Sequence, residues 1–453
     1  MNSLISKYNV AGPRYTSYPT VPYWDEEGIA IDKWKASVKK SFEESNAKEG
    51  ISLYIHLPFC ENLCTFCGCN KRITKNHDVE FPYIEALLKE WQLYLTLFEE
   101  KPIIAELHFG GGTPTFFSAE NLDHLLSHLF ENAEKAHHHV FSFEGHPNNT
   151  TREHLDVMAK HGFKRASYGV QDLDPVVQRA INRVQPFENV LRVHEESINA
   201  GYNSISFDLV YGLPHQHLDS VKNTIEKVRT LKPERIAFYS YAHVPWIKGN
   251  GQRGFDENDL PKSEEKRALY ESGYQLLLES GYKEIGMDHF ALPHDDLYVS
   301  MQNKKLHRNF MGYTASKTQL MVGLGVSSIG DSWYAFAQNV KSVEGYYSKL
   351  AQNEFPIFRG HLLNDEDLLI RKHILNLMCH FETEWDESNS QNTVLQEAKG
   401  RLAELEADGL VKLHGNGLSV TEEGKAFVRN ICMAFDLRLM RKKPSTQLFS
   451  MTI

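Results

Sequence analysis

The chain has six cysteines in 453 residues, and four lie in one ten-residue string, Cys60-Glu-Asn-Leu-Cys64-Thr-Phe-Cys67-Gly-Cys69. Packing does not require such a clump. The first three are spaced C-x3-C-x2-C, so one short loop can present three thiolates to a single soft metal centre, which suits an iron–sulfur cluster. Three ligands for four irons leave one iron open to bind and activate a small molecule. Cys69 would be strained in reaching the same cluster and would close it, so a nearby non-ligand role is expected. The bland alternative is structural zinc. Zinc sites are usually built from two separated Cys-x-x-Cys pairs, and the sequence holds no second pair. Cys379 and Cys432 sit in apolar helical context and are expected to be buried packing residues.

The loop follows a short β-rich run at 51–57. Further runs of that kind fall at 103–109, 139–145, 165–170, 203–210 and 235–241. Helical patterns at 80–97, 119–129, 152–161, 187–200 and 218–231 lie between them. Six such steps in series predict a parallel sheet, either an open doubly wound sheet or a partial barrel. The polar strings cluster at one end of it. Gly110-Gly-Gly-Thr-Pro114 follows the second run, Glu144 ends the third, and Gln171-Asp172 follow the fourth. Asp208 lies near the end of the fifth, and Tyr241-Ala242 close the sixth. Carboxyl ends of parallel strands are where such folds build their sites. The triple glycine lets backbone approach a ligand closely, and it is no Walker motif, because no Gly-Lys-Ser/Thr follows. Glu144 and Asp208 read either as plain strand-end carboxylates or as holders of ribose hydroxyls. His137-His-His139 is expected to be a solvated turn.

Beyond the sheet, 247–263 reads as a loop, 264–280 as a helix and 282–287 as a short strand; the stretch to about 350 reads as irregular. From about 356 acidic helical patterns at 365–377 and 393–408 predict a smaller helical domain. Its end, Gly417-Leu-Ser-Val-Thr-Glu-Glu-Gly424, resembles the wing of a winged helix; no basic recognition face accompanies it, so a packing role is expected. Gly12-Pro-Arg-Tyr-Thr-Ser-Tyr-Pro19 has two prolines, which discourage helix and predict an extended arm. The expected divisions are an arm at 1–45, a catalytic barrel with its extension at 46–355 and a C-terminal domain at 356–453.

Net charge is −10 and hydrophobic content 41%. That is ordinary globular composition, and the charge argues against a general nucleic-acid binder. No run approaches a membrane span, and the start has no apolar signal region. Clustered thiols point to a reducing, cytoplasmic setting.

The string Tyr54-Ile-His-Leu-Pro-Phe-Cys60 with Cys64, Phe66 and Cys67 resembles the radical S-adenosylmethionine (SAM) superfamily. Cys67-Gly-Cys69-Asn70, Pro13-Arg-Tyr-Thr-Ser-Tyr-Pro-Thr20, Gly286-Met-Asp-His-Phe290, Leu306-His-Arg-Asn-Phe310 with Gly312-Tyr-Thr314, and Arg429-Asn-Ile-Cys432 are similar, more narrowly, to the oxygen-independent coproporphyrinogen III oxidase family. The resemblance implies an α/β fold, a partial (β/α)6-type barrel with an N-terminal arm and a mainly helical C-terminal domain. It implies a 4Fe–4S cluster on Cys60, Cys64 and Cys67, and two SAM molecules in one site. Tyr54, Gly111, Glu144 and Ile329 match positions contacting the cluster-bound SAM. Phe66, Gly112, Thr113, Gln171, Arg183, Asp208 and Ala242 match positions around the second. After Ile329 the residues Gly-Asp-Ser-Trp-Tyr depart from the family's usual string.

The implied reaction converts two propionates of coproporphyrinogen III to the vinyl groups of protoporphyrinogen IX. A 5′-deoxyadenosyl radical takes a hydrogen from each β-carbon, and CO2 and one electron are lost. The implied partners are this substrate and a reduced flavodoxin- or ferredoxin-type electron donor; a monomer is expected. A four-carboxylate substrate on an acidic protein needs local cations, and Arg14, Lys71, Arg72 and Arg308 are the candidates. Two other readings stand beside this one. A haem-binding chaperone of the same superfamily would keep the cluster loop but usually lacks the arm and the Cys-x-Cys ending. The other is a zinc-stabilised interaction protein.

Overall fold

The computed structural model describes residues 2–24, 28–244, 252, 254–385, 393–442, 444 and 448–452. Six parallel strands run in chain order across its centre: β1 Ile51–Leu57, β2 Ile103–Gly111, β3 Glu134–Gly145, β4 Phe163–Gln171, β5 Ser204–Tyr211 and β6 Arg235–Ser240. Their crossovers include the helices Glu80–Leu95, Ala119–Glu131, Arg152–Lys160, Phe187–Asn199 and Leu218–Leu231. Ser118 and Thr151 start two of these by accepting a backbone N–H three residues on, as N-caps do. The outward residues of β1, Leu53, Ile55 and Leu57, are fully buried in one core with Tyr83, Ile84 and Leu87 of the first crossover helix.

Six more strands widen the sheet. They are β7 Lys283–Gly286, β8 His289–Ala291, β9 Met321–Leu324, β10 Ile329–Asp331, β11 Ala335–Asn339 and β12 Ile357–Leu362. The order is β12-β11-β10-β9-β1-β2-β3-β4-β5-β6-β8-β7. β9 pairs parallel to β1, and β10, β11 and β12 follow it antiparallel. The stretch expected to be irregular up to 350 therefore supplies four sheet strands, β8 to β11. The sheet also continues past 355 through β12, so we place the domain division after Leu362.

Two further expectations differ from the structure. His137, His138 and His139 are not a turn; they lie within β3, whose first residues pair with Ile103 and Ile104 of β2. They fall at the register shift between Lys135 and Val140, and His137 and His138 are exposed as expected. Within residues 1–45 only part of the chain is extended: Asn2–Tyr8 and Ile31–Ser45 are helices, the latter burying Trp34, Val38 and Phe42 at i, i+4, i+8 against the barrel core. The expected loop at 247–263 falls partly outside the described residues; 257–259 form a single 3-10 turn.

Residues 9–20 of the arm bind the far end of the chain. Ala11 bridges Met451, and Arg429 donates from Nε to Pro13 O (3.0 Å), from Nη1 to Met451 O (2.8 Å) and from Nη2 to Gly12 O. Tyr15 and Tyr18 are buried in the core of the C-terminal domain, and Tyr15 donates to Asp436 at 3.0 Å. That domain carries the helices Asp365–His380 and Thr393–Ala407 and a small three-stranded sheet with the wing-like hairpin. Arg371 joins it to the barrel through a two-pronged bond to buried Asp331 of β10 (3.1 and 2.5 Å). Among the described residues no helix is long and apolar enough to cross a membrane.

Candidate active site

Parallel strands are usually apolar on both faces, because helices cover both. Here the inner face is polar. Strand alternation sends Tyr54 and His56 inward from β1, and it does the same for His108, Ser142, Glu144, Ser167, Ser206 and Asp208 on the strands that follow. Register aligns them: Tyr54 with His108, His108 with Ser142, Glu144 with Ser167, Ser167 with Ser206. His108, Ser142, Glu144, Ser167, Ser206 and Asp208 line, with Tyr239 and His289, a cavity of about 160 Å³. His108 bonds Ser142 Oγ at 2.7 Å and reaches Glu144 Oε1 at 3.4 Å. Asp208 accepts from Ser167 at 3.3 Å. Burial, and then the Glu144 carboxylate, push the Asp208 pKa up to about 7.

The cysteine loop leaves β1 through Pro58 and closes on itself. Phe59–Cys60 pair with Arg72–Ile73, fixed by Arg72 N→Pro58 O (2.8 Å) and Thr74 N→Cys60 O (2.9 Å). His56 Nε2 meets Asn70 O at 2.9 Å, and Lys71 Nζ donates to the carbonyls of Cys67 (3.0 Å) and Cys69 (3.4 Å). Thr65 and Asn182 bond across to the segment after β4, through Thr65 N→Ile181 O (3.0 Å) and Asn182 Nδ2→Leu63 O (2.8 Å). Cys60 Sγ faces Thr113 Oγ1 at 3.3 Å, and Arg183 Nη1 donates to Cys64 Sγ at 3.7 Å.

Three thiolates on one loop repel one another and need nearby positive charge, which Lys71 and Arg183 supply. Burial, opposed by the Thr113 hydrogen bond, pushes the Cys60 thiol up to about 11. Cys69 is hydrogen-bonded to Cys67, which lowers the Cys67 pKa and raises that of Cys69. A zinc ion would need thiolates gathered at about 2.3 Å around one point. The donor set, soft thiols with cations behind them, fits a larger iron–sulfur group.

The glycine string lies against the root of this loop. Gly111 has φ +112°, and a Cβ there would stand 2.8 Å from the His56 ring. A Cβ on Gly112 would meet Pro58 O at 2.5 Å and Phe59 O at 2.9 Å. Gly112 N→Leu57 O (2.8 Å) and Thr113 N→Phe59 O (3.0 Å) hold the two turns together. Tyr54 OH bonds His56 Nδ1 at 3.1 Å, and its ring lies over His108. Ile329 opens β10 with its backbone pressed on Gly323, which is level with Tyr54.

On the other flank, Arg183 Nη2 donates to Gly169 O at 2.6 Å while its Nε is buried without a partner. Gln171, at φ 64°, folds its amide over Gly169. Gln252 donates to both Phe66 O (3.2 Å) and Ala242 O (3.1 Å), tying those two positions together. All eleven expected cofactor positions thus lie on or beyond the inner and carboxyl ends of the sheet's strands.

The four expected substrate cations separate. Arg14 pairs with Asp288 at 2.9 Å, and Arg308 donates to Arg14 O at 3.4 Å. Arg308 is 5% exposed, with Nε and Nη1 unpartnered, and lies over the Tyr313 ring. Lys71 and Arg72 are not brought to them. Lys71 serves the loop carbonyls, and Arg72 is exposed on the outer wall, paired with Glu344 at 3.1 Å.

Several residues of the site were not singled out from sequence. His56 and His108 were findable, since they alternate with Tyr54 and Gly110 on their strands. Asp288 sits in a string already noted for resemblance. Lys266 gave no signal on its mixed-charge helix; it donates to Tyr241 O at 2.7 Å, and burial, then Arg14, pull its pKa down to about 8.

A profile of the Radical SAM superfamily matches residues 54–228. The oxygen-independent coproporphyrinogen III oxidase of Escherichia coli K12 is 37% identical over 100% of this chain and 98% of its own. Its namesake in Synechocystis is 36% identical over 99% of this chain and 97% of its own. The solved structure of the Escherichia coli coproporphyrinogen III oxidase, described as a Radical SAM enzyme, superposes with a TM-score of 0.89 at 35% identity, covering 97% of this chain and 99% of that one. With this fold and this loop at the mouth of a polar lumen, the chain belongs to the oxygen-independent coproporphyrinogen III oxidase family of the Radical SAM superfamily.

Proposed function

We propose that this chain oxidatively decarboxylates two propionates of coproporphyrinogen III to the vinyl groups of protoporphyrinogen IX without dioxygen, in haem biosynthesis. The observation that carries this is the end-to-end likeness to enzymes of that name, joined to three thiols beside a polar lumen. Cys60, Cys64 and Cys67 hold a 4Fe–4S cluster, and two SAM molecules occupy the mouth. Together these groups supply reductive SAM cleavage and the hydrogen abstraction that starts decarboxylation.

The chain's own residues bind and aim. Lys71 and Arg183 balance the thiolates. Tyr54, Gly111, Glu144 and Ile329 hold the cluster-side SAM. Phe66, Gly112, Thr113, Gln171, Arg183, Asp208 and Ala242 hold the second. Glu144 and Asp208, as acceptors, suit ribose hydroxyls. Arg14 and Arg308 receive substrate carboxylates, and the arm that carries Arg14 keeps water from the radical. Lys71 and Arg72 remain the weaker substrate candidates, since both face the loop or the outer wall. A reduced flavodoxin- or ferredoxin-type protein supplies electrons to a monomeric, cytoplasmic enzyme, a setting that suits six unpaired cysteines.

The test is an anaerobic assay of the iron-loaded chain with coproporphyrinogen III, SAM and dithionite. Protoporphyrinogen and CO2 are expected. SAM cleavage without either product would overturn the assignment.

A further inference from the structure

The segment after the cysteine loop forms a thin outer wall. Arg72 and Ile73 are hydrogen-bonded directly to the strand that carries Cys60. On its outer side Lys75 is exposed and Ile73 is 40% exposed. Asn70 donates to Lys341 O at 3.0 Å, and Arg72 pairs with Glu344, so residues 341–344 adjoin this wall. Beside them Phe358, 45% exposed, lies under Lys341 at 5.9 Å and Arg359 at 5.2 Å. Lys341 and Arg359 thus stand over Phe358, while Arg72, paired with Glu344, and Lys75 flank Ile73 along the chain. Burial, then the nearby Arg359 guanidinium, lowers the Lys341 pKa. On a chain of net charge −10 this surface is basic and apolar together.

We propose that this wall, centred on Ile73 and Phe358 with Lys75 and Lys341 at its rim, is where an acidic one-electron carrier protein docks. The inference rests on the functional reading above, which requires an electron at the cysteine-bound cluster. Substrate and SAM fill the lumen side, so the carrier must come from outside. Here one hydrogen-bonded strand separates its surface from Cys60. In the transfer the carrier is oxidised by one electron and the cluster reduced by one; no bond forms or breaks. Complementary charge steers the encounter, and the apolar pair gives a dry centre.

The test uses iron-loaded wild type and a Lys75→Glu, Lys341→Glu, Phe358→Ser variant, with an acidic flavodoxin as probe. Anaerobic titration calorimetry at low and high salt measures binding. SAM cleavage driven by dithionite is the control, since a small reductant needs no docking face. The variant should bind flavodoxin at least tenfold more weakly at low salt, with a flatter salt dependence, and cleave SAM normally with dithionite. Wild-type affinity in the variant overturns the proposal. Should the variant lose iron, Lys75→Glu with Lys341→Glu alone, both at exposed positions, is read the same way. Absence of dithionite-driven cleavage in wild type would instead sink the functional reading, and this inference with it.

Discussion

Arg429→Met should release the arm without unfolding the enzyme. The guanidinium is 6% exposed, and burial brings its pKa down to about 10. Its closest bonds go to the backbone carbonyls of Gly12, Pro13 and Met451, with longer ones to Ser450 O (3.4 Å) and Oγ (3.3 Å). A hydrogen bond from a charged donor is worth about 1.5–3 kcal/mol net, and an orphaned buried carbonyl costs about 1–3 kcal/mol. Three such bonds, less the relief of unburying a charge, come to about 3–5 kcal/mol. The chain can avoid most of that cost by lifting residues 9–20 into water, so the arm should open locally before the domain melts. At 1.4 kcal/mol per decade, the opening constant rises by about one hundred-fold to several thousand-fold. Hydrogen exchange followed by mass spectrometry should show that rise at Gly12 N, which donates to Ser450 O. Iron content and dithionite-driven SAM cleavage should hold, while KM for coproporphyrinogen rises because Arg14 is no longer held by Asp288. Unchanged exchange over 10–20, or loss of iron in step with loss of the arm, would refute the reasoning.

Three further outcomes are expected. Ala at Cys60, Cys64 or Cys67 should each remove iron and SAM cleavage, whereas Cys69→Ser keeps iron; equal iron loss in Cys69→Ser would break the ligand assignment. Glu90 is fully buried, accepting from Gly325 N, Asn339 and Tyr346, and burial raises its pKa to about 7. The folded state therefore holds a proton there that the unfolded chain releases near 4.5, so this group's contribution is greatest below about 4.5 and falls as pH rises to about 7. By linkage Glu90→Gln should flatten the stability curve over that window by about 3 kcal/mol, and parallel curves from urea titrations would refute it. Arg371→Met leaves Asp331 buried and unpaired, which should cost about 3–5 kcal/mol in denaturant unfolding; a loss under 1 kcal/mol would show that water replaces the guanidinium.

The six parallel strands were readable because each carries a short β pattern beside a helical one. β9, β10 and β11 were not. They are three to five residues long, Gly323 and Gly330 interrupt the first two, and they are made strands by pairing in series, β9 on β1, β10 on β9 and β11 on β10. The histidine run lies in β3 at the register shift between its two stretches of pairing with β2, which no local signal foretold. In the site, the cysteine spacing is a local signal and could be read directly. Arg72 shows the converse, because sequence gives a cation but not the direction in which it points. The arm's prolines foretold an extended path, yet nothing local named Arg429 and Met451 as its partners.

Those partners have a temporal consequence. Residues 9–20 are synthesised more than 400 residues before Arg429, Asp436 and Met451, which seat them. The barrel can assemble meanwhile, with its thiols at an uncovered mouth. Seating of the arm is thus deferred until residues 429–451 have been made. A chain stopped short of residue 429 should take up iron yet remain permanently open.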